Sequence, residues 1–423
     1  MATSASIQPH VLHLSLVVGS DLIDSSGSKL GRVDDLIVRL GEDDYPPVTG
    51  ILASVAGRQV FVPAEIVAAV EQGRVTLREA RFDLKPFERR EQEVLLKKDV
   101  LDRQLINIDG ARLVRANEIE LARVEGWYRV VGVDVHLRGI ARRLLPRALS
   151  ESVKPGAFLD WASIEPFTGH VPTVRLKVPH PRLARLHPAE LADLVEAASH
   201  HEGEEIIEAV GEHPELEADL FEELDPQHQV EFIEDRSDEE IAEVLTRMET
   251  DDAADLLGEL PEERREQVVE LLPAVQRRRI RTLAGYDPAT AGGIMAPDFV
   301  SLYRTATKAE ALDRVSRSHC SADSLAWVFL MNSHKRLDGA IPLADLLRAE
   351  EGVPLGEITQ VAQSVRAHAE VEEIARLMTD YDLTVVPVVD DEQRMIGVIT
   401  VDDVLELVLP QGWRRSFRVF GED

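Results

Sequence analysis

The spacing of apolar residues changes character twice along the chain. In the first third, short apolar runs such as Val48–Val55 (VTGILASV) and 59–62 (QVFV) stand between Gly and Pro, the pattern of short strands. The segment 22–30 (LIDSSGSKL) recurs as 105–113 (LINIDGARL), an offset of 83 residues, and Asp34, Asp35, Leu36 and Ile37 then align with Asn117, Glu118, Ile119 and Glu120. Each copy has a glycine, Gly27 and Gly110, where a hairpin turn needs positive φ. Two copies of one small β unit are expected. From Leu186 the period lengthens. Apolar pairs fall at Leu220 and Phe221, Phe232 and Ile233, Val244 and Leu245, Leu256 and Leu257, and Val268 and Val269, a step of 12 residues each time. Helix starts follow at nearly the same spacing at Asp225-Pro226, Ser237-Asp238, Thr250-Asp251 and Leu260-Pro261, because Asp, Ser and Thr cap helices and Pro and acids suit a first turn. Each repeat is then one helix of about nine residues and a tight turn. Such a helix buries its apolar face only by stacking on its neighbours, which predicts an α-solenoid. Residues 357–409 change pattern again. They read as βαββα, with a helix at Val371–Tyr381, a buried strand at 383–389, a turn at Asp390, Asp391 and Glu392, a strand at Met395–Thr400 and a helix over 403–409. A degenerate copy of the same unit precedes it at about 294–350.

Composition sharpens these boundaries. Of 423 residues, 77 are acidic and 47 basic, for a net charge of −30. Residues 1–185 carry a net +2, residues 186–290 a net −23 and residues 291–423 a net −9, so the solenoid holds most of the imbalance. A surface this acidic repels phosphate backbones, and nucleic acid is not expected as a partner of the whole chain. The single cysteine, Cys320, excludes a disulfide framework and fits a reducing compartment, where it reads as a spectator thiol. The start of the chain lacks a basic signal-peptide region, and no run is long enough for a membrane-spanning helix. A soluble, cytoplasmic protein is expected. No G-x-S-x-G, Walker loop or H-E-x-x-H is present, and the carboxylates are too many to single out an acid–base pair, so an enzyme is not expected. His200 and His201 lack further histidines at ligand spacing and read as a surface turn.

Three resemblances follow from these motifs. The turn DSSGSKLGRV followed by the strand DDLIV resembles the PRC-barrel family over about residues 12–80, with a weaker second copy over 94–170. Family members are small β-barrels used for protein contacts, and the resemblance brings no catalytic residue with it. The alternative is an unrelated all-β pair. LHPAELADL, ETDDAADLLGELPEERREQVVELLP and YDPATAGGIM resemble the cytosolic N domain of the MgtE family of magnesium transporters and channels. The stretch 290–295 (TAGGIM) resembles that family's junction into a CBS module. Gly397-Val-Ile-Thr400-Val-Asp402-Asp403 fits the CBS signature G-h-h-T-x-x-D. The expected architecture is therefore a multidomain α+β chain with two PRC-like β-barrels, an α-helical solenoid and a tandem CBS module. Its domains are 1–93, 94–182 (which includes a linker marked by Pro172, Pro179 and Pro181), 183–290, a degenerate CBS repeat at 291–353, and a second CBS repeat with the tail at 354–423.

The candidate chemistry lies in the last two parts. Asp251, Asp255 and Glu259 are spaced i, i+4, i+8 and form one acidic stripe on a helix. Unpaired, such a stripe repels itself, and an oxygen-seeking divalent cation relieves the repulsion. The alternative is a solvated acidic face. The resemblance implies a Mg²⁺ site between the N domain and the CBS pair, with Asp251, Asp255, Glu259 and Asp402 as candidate ligands. It also implies an adenine-nucleotide cleft such as that for ATP, in which Thr400 holds a phosphate and Asp403 accepts from ribose hydroxyls. The degenerate repeat carries Pro342 where Thr is expected. CBS modules pair, so a homodimer through this module is expected, with an unknown protein partner on the PRC-like barrels. The chain ends soon after the last helix, in the basic and aromatic tail 413–418 (WRRSFR), so the family's pore is expected to be missing. The functional expectation is a soluble Mg²⁺-sensing regulator related to the gating region of MgtE transporters. The alternatives are a metal-indifferent dimeric binding scaffold and an accessory subunit of a separate magnesium transport system.

Overall fold

The computed structural model describes residues 11–409 except 41–42, 72, 80–82, 84, 91, 125, 137–157, 168–181 and 319. The proline-marked linker and the basic tail lie outside the described residues. The chain divides into two compact units, residues 1–224 and 225–423.

In the first unit, the strands are β1 (Leu12–His13), β2 (Asp21–Ile23), β3 (Lys29–Arg39), β4 (Val48–Val55), β5 (Arg58–Pro63), β6 (Val67–Glu71), β7 (Arg74–Leu77), β8 (Glu93–Leu95), β9 (Gln104–Asn107), β10 (Arg112–Arg115), β11 (Glu118–Val124), β12 (Trp127–Asp134), β13 (Leu159–Asp160) and β14 (Ile164–Pro166). One sheet runs β5-β4-β3-β2-β7-β6 with β8 beside β3, a second runs β1-β11-β12-β13, and a third runs β10-β9-β14. Among the described residues no sheet closes into a barrel. The reason lies in the leading strand of each copy. β1 leaves its own copy and pairs antiparallel with β11 (Leu12 opposite Leu121). β8, which leads the second copy, pairs antiparallel with β3 of the first (Leu95 opposite Ile37). The two repeats exchange arms.

The exchange is fastened by two buried carboxylates at equivalent positions. Asp35 Oδ1 accepts from the Leu36 and Lys97 N–H groups at 2.7 and 2.8 Å, and Oδ2 accepts from the Lys98 N–H at 3.0 Å. Glu118, 83 residues on, accepts at Oε1 from the Ile119 and Ser15 N–H groups, both at 3.1 Å, and at Oε2 from the Ser15 hydroxyl. Ser15 lies in the helical turn α1 (Leu14–Val17), and Lys97 and Lys98 lie in the turn Leu96–Val100. Each arm therefore supplies the donors that satisfy the other copy's acid. Backbone bonds repeat at the same offset: Gly19 N–H to Val33 O and Asp102 N–H to Ala116 O are both 2.8 Å. Side chains from Leu14 to Ile164 form one continuous apolar core across both copies. One expected detail shifts. Gly27 has φ 86°, but the second copy places its positive φ at Ala111 (42°) rather than at Gly110.

Helices α2 (Pro188–Ala197), α3 (His200–Val210) and α4 (Pro214–Glu223) complete this unit. In the second unit follow α5 (Pro226–Glu234), α6 (Asp238–Arg247), α7 (Thr250–Glu259), α8 (Glu262–Leu271) and α9 (Ala274–Leu283). All ten residues of the 12-residue beat are buried, from Leu220 and Phe221 (both 0%) to Val268 and Val269 (0% and 5%). Helices two apart stack within each unit: α2 on α4, α5 on α7, α6 on α8 and α7 on α9. Caps set the step. Asp225 accepts from the Gln227 and His228 N–H groups at 3.0 Å, and Ser237 forms a capping box with Glu240.

Two small sheets of matching design follow. The first is β15 (Ser301–Tyr303), β16 (Trp327–Met331) and β17 (Leu337–Pro342), with helices α10 (Lys308–Ser316) and α11 (Leu343–Arg348). The second is β18 (Val365–Arg366), β19 (Val385–Val389) and β20 (Met395–Thr400), with α12 (Leu355–Ile358) before it and helices α13 (Val371–Tyr381) and α14 (Val401–Val408). In each, the first pair is parallel and the second antiparallel. Trp327 faces Pro342 as Val385 faces Thr400, which puts Pro342 and Thr400 at equivalent positions. The junction after α9 threads along the second sheet, with Gly292 N–H bonded to Ala367 O at 2.7 Å and Ala296 N–H to Val398 O at 2.8 Å. Gly397 is required there: a Cβ would stand 2.7 Å from Met295 Sδ and 2.9 Å from Ala296 O. The junction motif and the G-h-h-T-x-x-D motif thus interlock.

Burial outweighs the three N–H donors and raises the Asp35 carboxyl from its ordinary 3.8 to about 6. The folded state therefore binds this proton more tightly than the unfolded state. Its stabilisation is full below about pH 4 and is lost as pH rises to about 6, a change of about 3 kcal/mol. Asp35→Asn is expected to flatten the pH dependence of the urea midpoint of the first unit over that window, as read by circular dichroism.

Candidate functional site

The acidic stripe of α7 begins where that helix meets the second βαββα repeat. Thr250, Asp251 and Asp252 form its first turn, and Glu249 is its N-cap residue. Ala254 of α7 and Leu283 of α9 pack into the apolar core of the second repeat with Ile374, Met378 and Ile399. This packing carries Asp251 inward. Its Oδ1 is buried and has no hydrogen-bond partner. Burial, and then the charges of Asp403, Glu249 and Asp255, hold its carboxyl well above the usual carboxylate range. Like charges converge here with a buried oxygen and no donor to satisfy it, whereas Asp35 and Glu118 of the first unit are capped by N–H groups.

Asp403 comes from the opposite side. It stands in the first turn of α14, and its Oδ2 accepts from the Thr400 N–H and hydroxyl, both at 2.7 Å. That capping box engages the Thr400 hydroxyl, and Thr400 is only 4% exposed. Of the residues singled out in the sequence, the structure thus brings Asp251, Asp255 and Asp403 into one electrostatic group. Glu259, two turns along the helix from Asp251, is exposed, as is Asp402. Glu249 belongs to the group but was absent from the stripe, because it precedes the helix. In the degenerate repeat, Asp345 faces Arg348 at 3.3 Å and Gln360 at 3.4 Å.

A second contact holds the same helices without repulsion. Asp298 accepts from the Thr250 hydroxyl at 3.1 Å and pairs with Arg279 of α9 at 2.7 Å. The contact between solenoid and sheets therefore has an arginine–aspartate latch as well as an acid cluster. Cys320 lies half-buried against the first repeat's core, and burial, followed by the charge of Asp298, pushes its thiol up. His200 and His201, read as a surface turn, open helix α3 within 3.5 and 3.7 Å of Glu204.

In the second unit, then, a helical repeat packs against a tandem βαββα module. Residues 186–289 match the MgtE intracellular N domain and residues 355–410 match the CBS domain. This half of the chain resembles the cytosolic region of MgtE-family magnesium transporters. The magnesium transporter MgtE of Thermus thermophilus is 32% identical over 195 residues, 45% of this chain and 43% of that protein. That of Bacillus subtilis is 28% identical over 193 residues, with the same two shares. The chain thus spans under half the length of these relatives. Among solved structures, the cytosolic domain of the Mg²⁺ channel MgtE in complex with ATP aligns with 30% identity and a TM-score of 0.50, over 53% of this chain and 92% of that one. Among the described residues no helix is long and apolar enough to cross a membrane.

The latch does not depend on a cation. Asp298→Ala leaves Arg279 and Thr250 unpaired and is expected to lower the stability of residues 225–423 by about 1–2 kcal/mol. Urea unfolding should show the same loss with and without a divalent salt at matched ionic strength.

Proposed function

We propose that this chain is a Mg²⁺-responsive regulatory protein in which a divalent cation closes the acidic contact between solenoid and CBS module. The observation that carries the reading is the buried, donorless Oδ1 of Asp251 set against Asp403, Glu249 and Asp255. The available donors are carboxylate oxygens, the chemistry Mg²⁺ prefers, and Mg²⁺ keeps several waters and so needs few protein ligands. Asp251, Asp255 and Asp403 would hold the ion, with Glu249 adding charge, while Glu259 and Asp402 stand at the exposed margin. The bound ion supplies positive charge and nothing more. The chain's own residues do the rest: Asp298 keeps α7 and α9 engaged, so relief of repulsion at Asp251 tightens a contact that is already half made.

An adenine nucleotide is the proposed second ligand of the CBS module, supported by the ATP complex of the similar cytosolic domain. The capping box between Thr400 and Asp403 would open or share its hydroxyl on binding. A second copy of the chain is the proposed partner of α14, which leaves Val401, Leu405 and Val408 exposed at 37%, 45% and 54% along one stripe. The PRC-like repeats of the first unit are proposed as the surface for another protein, in a cytoplasmic setting.

Mg²⁺ at 20 mM is expected to raise the melting temperature of the second unit by several degrees over Na⁺ at equal ionic strength, by mass action on the folded state. It should also shrink the particle in small-angle scattering. Without metal, stability should fall as pH rises through the elevated Asp251 value, since the neutral acid is the form the fold favours. Asp251→Asn is expected to abolish both the Mg²⁺ increment and this pH slope, and to raise metal-free stability by about 1–2 kcal/mol. An equal response to both salts would instead identify a metal-indifferent scaffold.

A further inference from the structure

The two crossed arms are fastened by different chemistry. Where the second arm meets the first copy, Leu95 of β8 stands opposite Ile37 of β3, and β3 sets Asp35 opposite Leu52 of β4. Ile37, Leu52 and Leu95 are buried in one small apolar cluster, with Phe61 and Phe87 packed against it. The charge beside it is held by arginine. Asp99 of this arm accepts from the Leu95 N–H at 2.7 Å and pairs with Arg89 at 3.0 Å. A guanidinium keeps its charge throughout the physiological range of pH.

The same places in the other seam are polar. His13 of β1 stands opposite Glu120 of β11, and β11 sets Glu118 opposite Asp134 of β12. His13, Glu120 and Asp134 thus take the positions of Leu95, Ile37 and Leu52. Their side chains are only 12%, 3% and 2% exposed. His13 Nδ1 lies 2.5 Å from Glu120 Oε2. Asp134 pairs at 3.0 Å with His136, just beyond the end of β12. Glu118 is bonded to Ser15 of the arm, and burial raises its carboxyl in spite of those bonds. Asp160 of β13, exposed and opposite Gly132, accepts from the Tyr45 hydroxyl at 3.0 Å. The arm's own ionisable contribution to this row is an imidazole, the side chain whose ordinary change of charge falls near neutral pH.

We propose that the exchange has one fixed arm and one titratable arm, and that rising pH releases the first arm, residues 12–17, at His13. As the pH passes through neutrality His13 loses its charge, while Glu120, buried on the same face as Glu118 and Asp134, keeps its own. The clasp weakens from a charge-assisted pair to a neutral hydrogen bond. Glu118 acts in the same sense, because a raised carboxyl stabilises the fold below its unfolded value and loses that contribution as pH rises through the folded one. The second arm has no such group at the matching place, since Leu95 meets Ile37. Its acid, Asp35, titrates at about 6, so its fastening is constant above that range. Release of the first arm bares β11, because β1 is the end strand of its sheet. The inference concerns the first unit alone and is independent of the metal reading.

The test is hydrogen–deuterium exchange of the full chain, read by mass spectrometry at pH 6.5 and pH 8 and corrected for the intrinsic pH dependence of exchange. Protection over residues 12–17 is expected to fall about tenfold between the two, the linkage of one titrating group, while protection over residues 93–100 stays level. His13→Gln keeps a hydrogen-bonding side chain that does not titrate, and should remove the pH dependence. His136→Gln should leave it in place. The double change His13→Leu with Glu120→Ile gives the first seam the pair used by the second, and should raise protection over residues 12–17 and make it independent of pH. The proposal is overturned if protection of the first arm does not change with pH, if the second arm changes equally, or if His13→Gln retains the full dependence. Should the double variant fail to fold, the two single variants decide the matter.

Discussion

A carboxylate can enter a protein interior in two ways, and this chain contains both. In one, backbone N–H groups meet the oxygens and replace the water that burial removes. In the other, an oxygen is left without a donor, and a proton or a cation relieves the charge. Asp35 and Glu118 are of the first kind. Asp251 is of the second, with further acids turned toward it. The proposed response of the contact between solenoid and CBS module rests on how that one group is neutralised. The shared core of Ala254, Leu283 and Ile374 brings the surfaces together and thereby creates the electrostatic problem.

The latch at Asp298 gives that problem a direction. Arg279 and Thr250 hold α9 and the start of α7 against the junction through ordinary pairing, so repulsion at Asp251 acts on a contact with one fixed side. The junction after α9 is closely packed. Gly292 and Gly397 allow backbone and thioether to approach more closely than any side chain would permit, so residues 290–296 lie tightly against the second sheet.

How much of this was legible beforehand varies with the range of the interaction. The helical beat was readable because its signal is local and repeated, with caps and apolar pairs confirming each other every 12 residues. The second βαββα repeat was readable for the same reason: Val371–Tyr381 and Met395–Thr400 begin and end where periodicity placed them. The exchange of arms was not, because Leu12 finds its partner at Leu121 and nothing in either segment specifies whose strand it joins. The 83-residue repeat correctly paired Asp35 with Glu118 but could not show that each is satisfied by the other copy. At the site, helical spacing aligned Asp251, Asp255 and Glu259 on one face. It could not show that the start of that helix, and not Glu259, meets the neighbour, or that Glu249 stands beside it. Thr400 and Asp403 were assigned to a ligand from their motif, while the structure shows them bonded to one another.

The crossing of the two arms has a consequence for how such a chain can change over evolutionary time. A duplicated unit that keeps its strands at home can lose either copy and return to a single one. Here each copy holds the N–H groups that the other's interior acid needs, together with a strand that completes its sheet. Deleting one would strand a carboxylate and open an edge in the survivor. The duplication has become a ratchet: later change can divide the labour between the halves, but it can no longer undo the doubling.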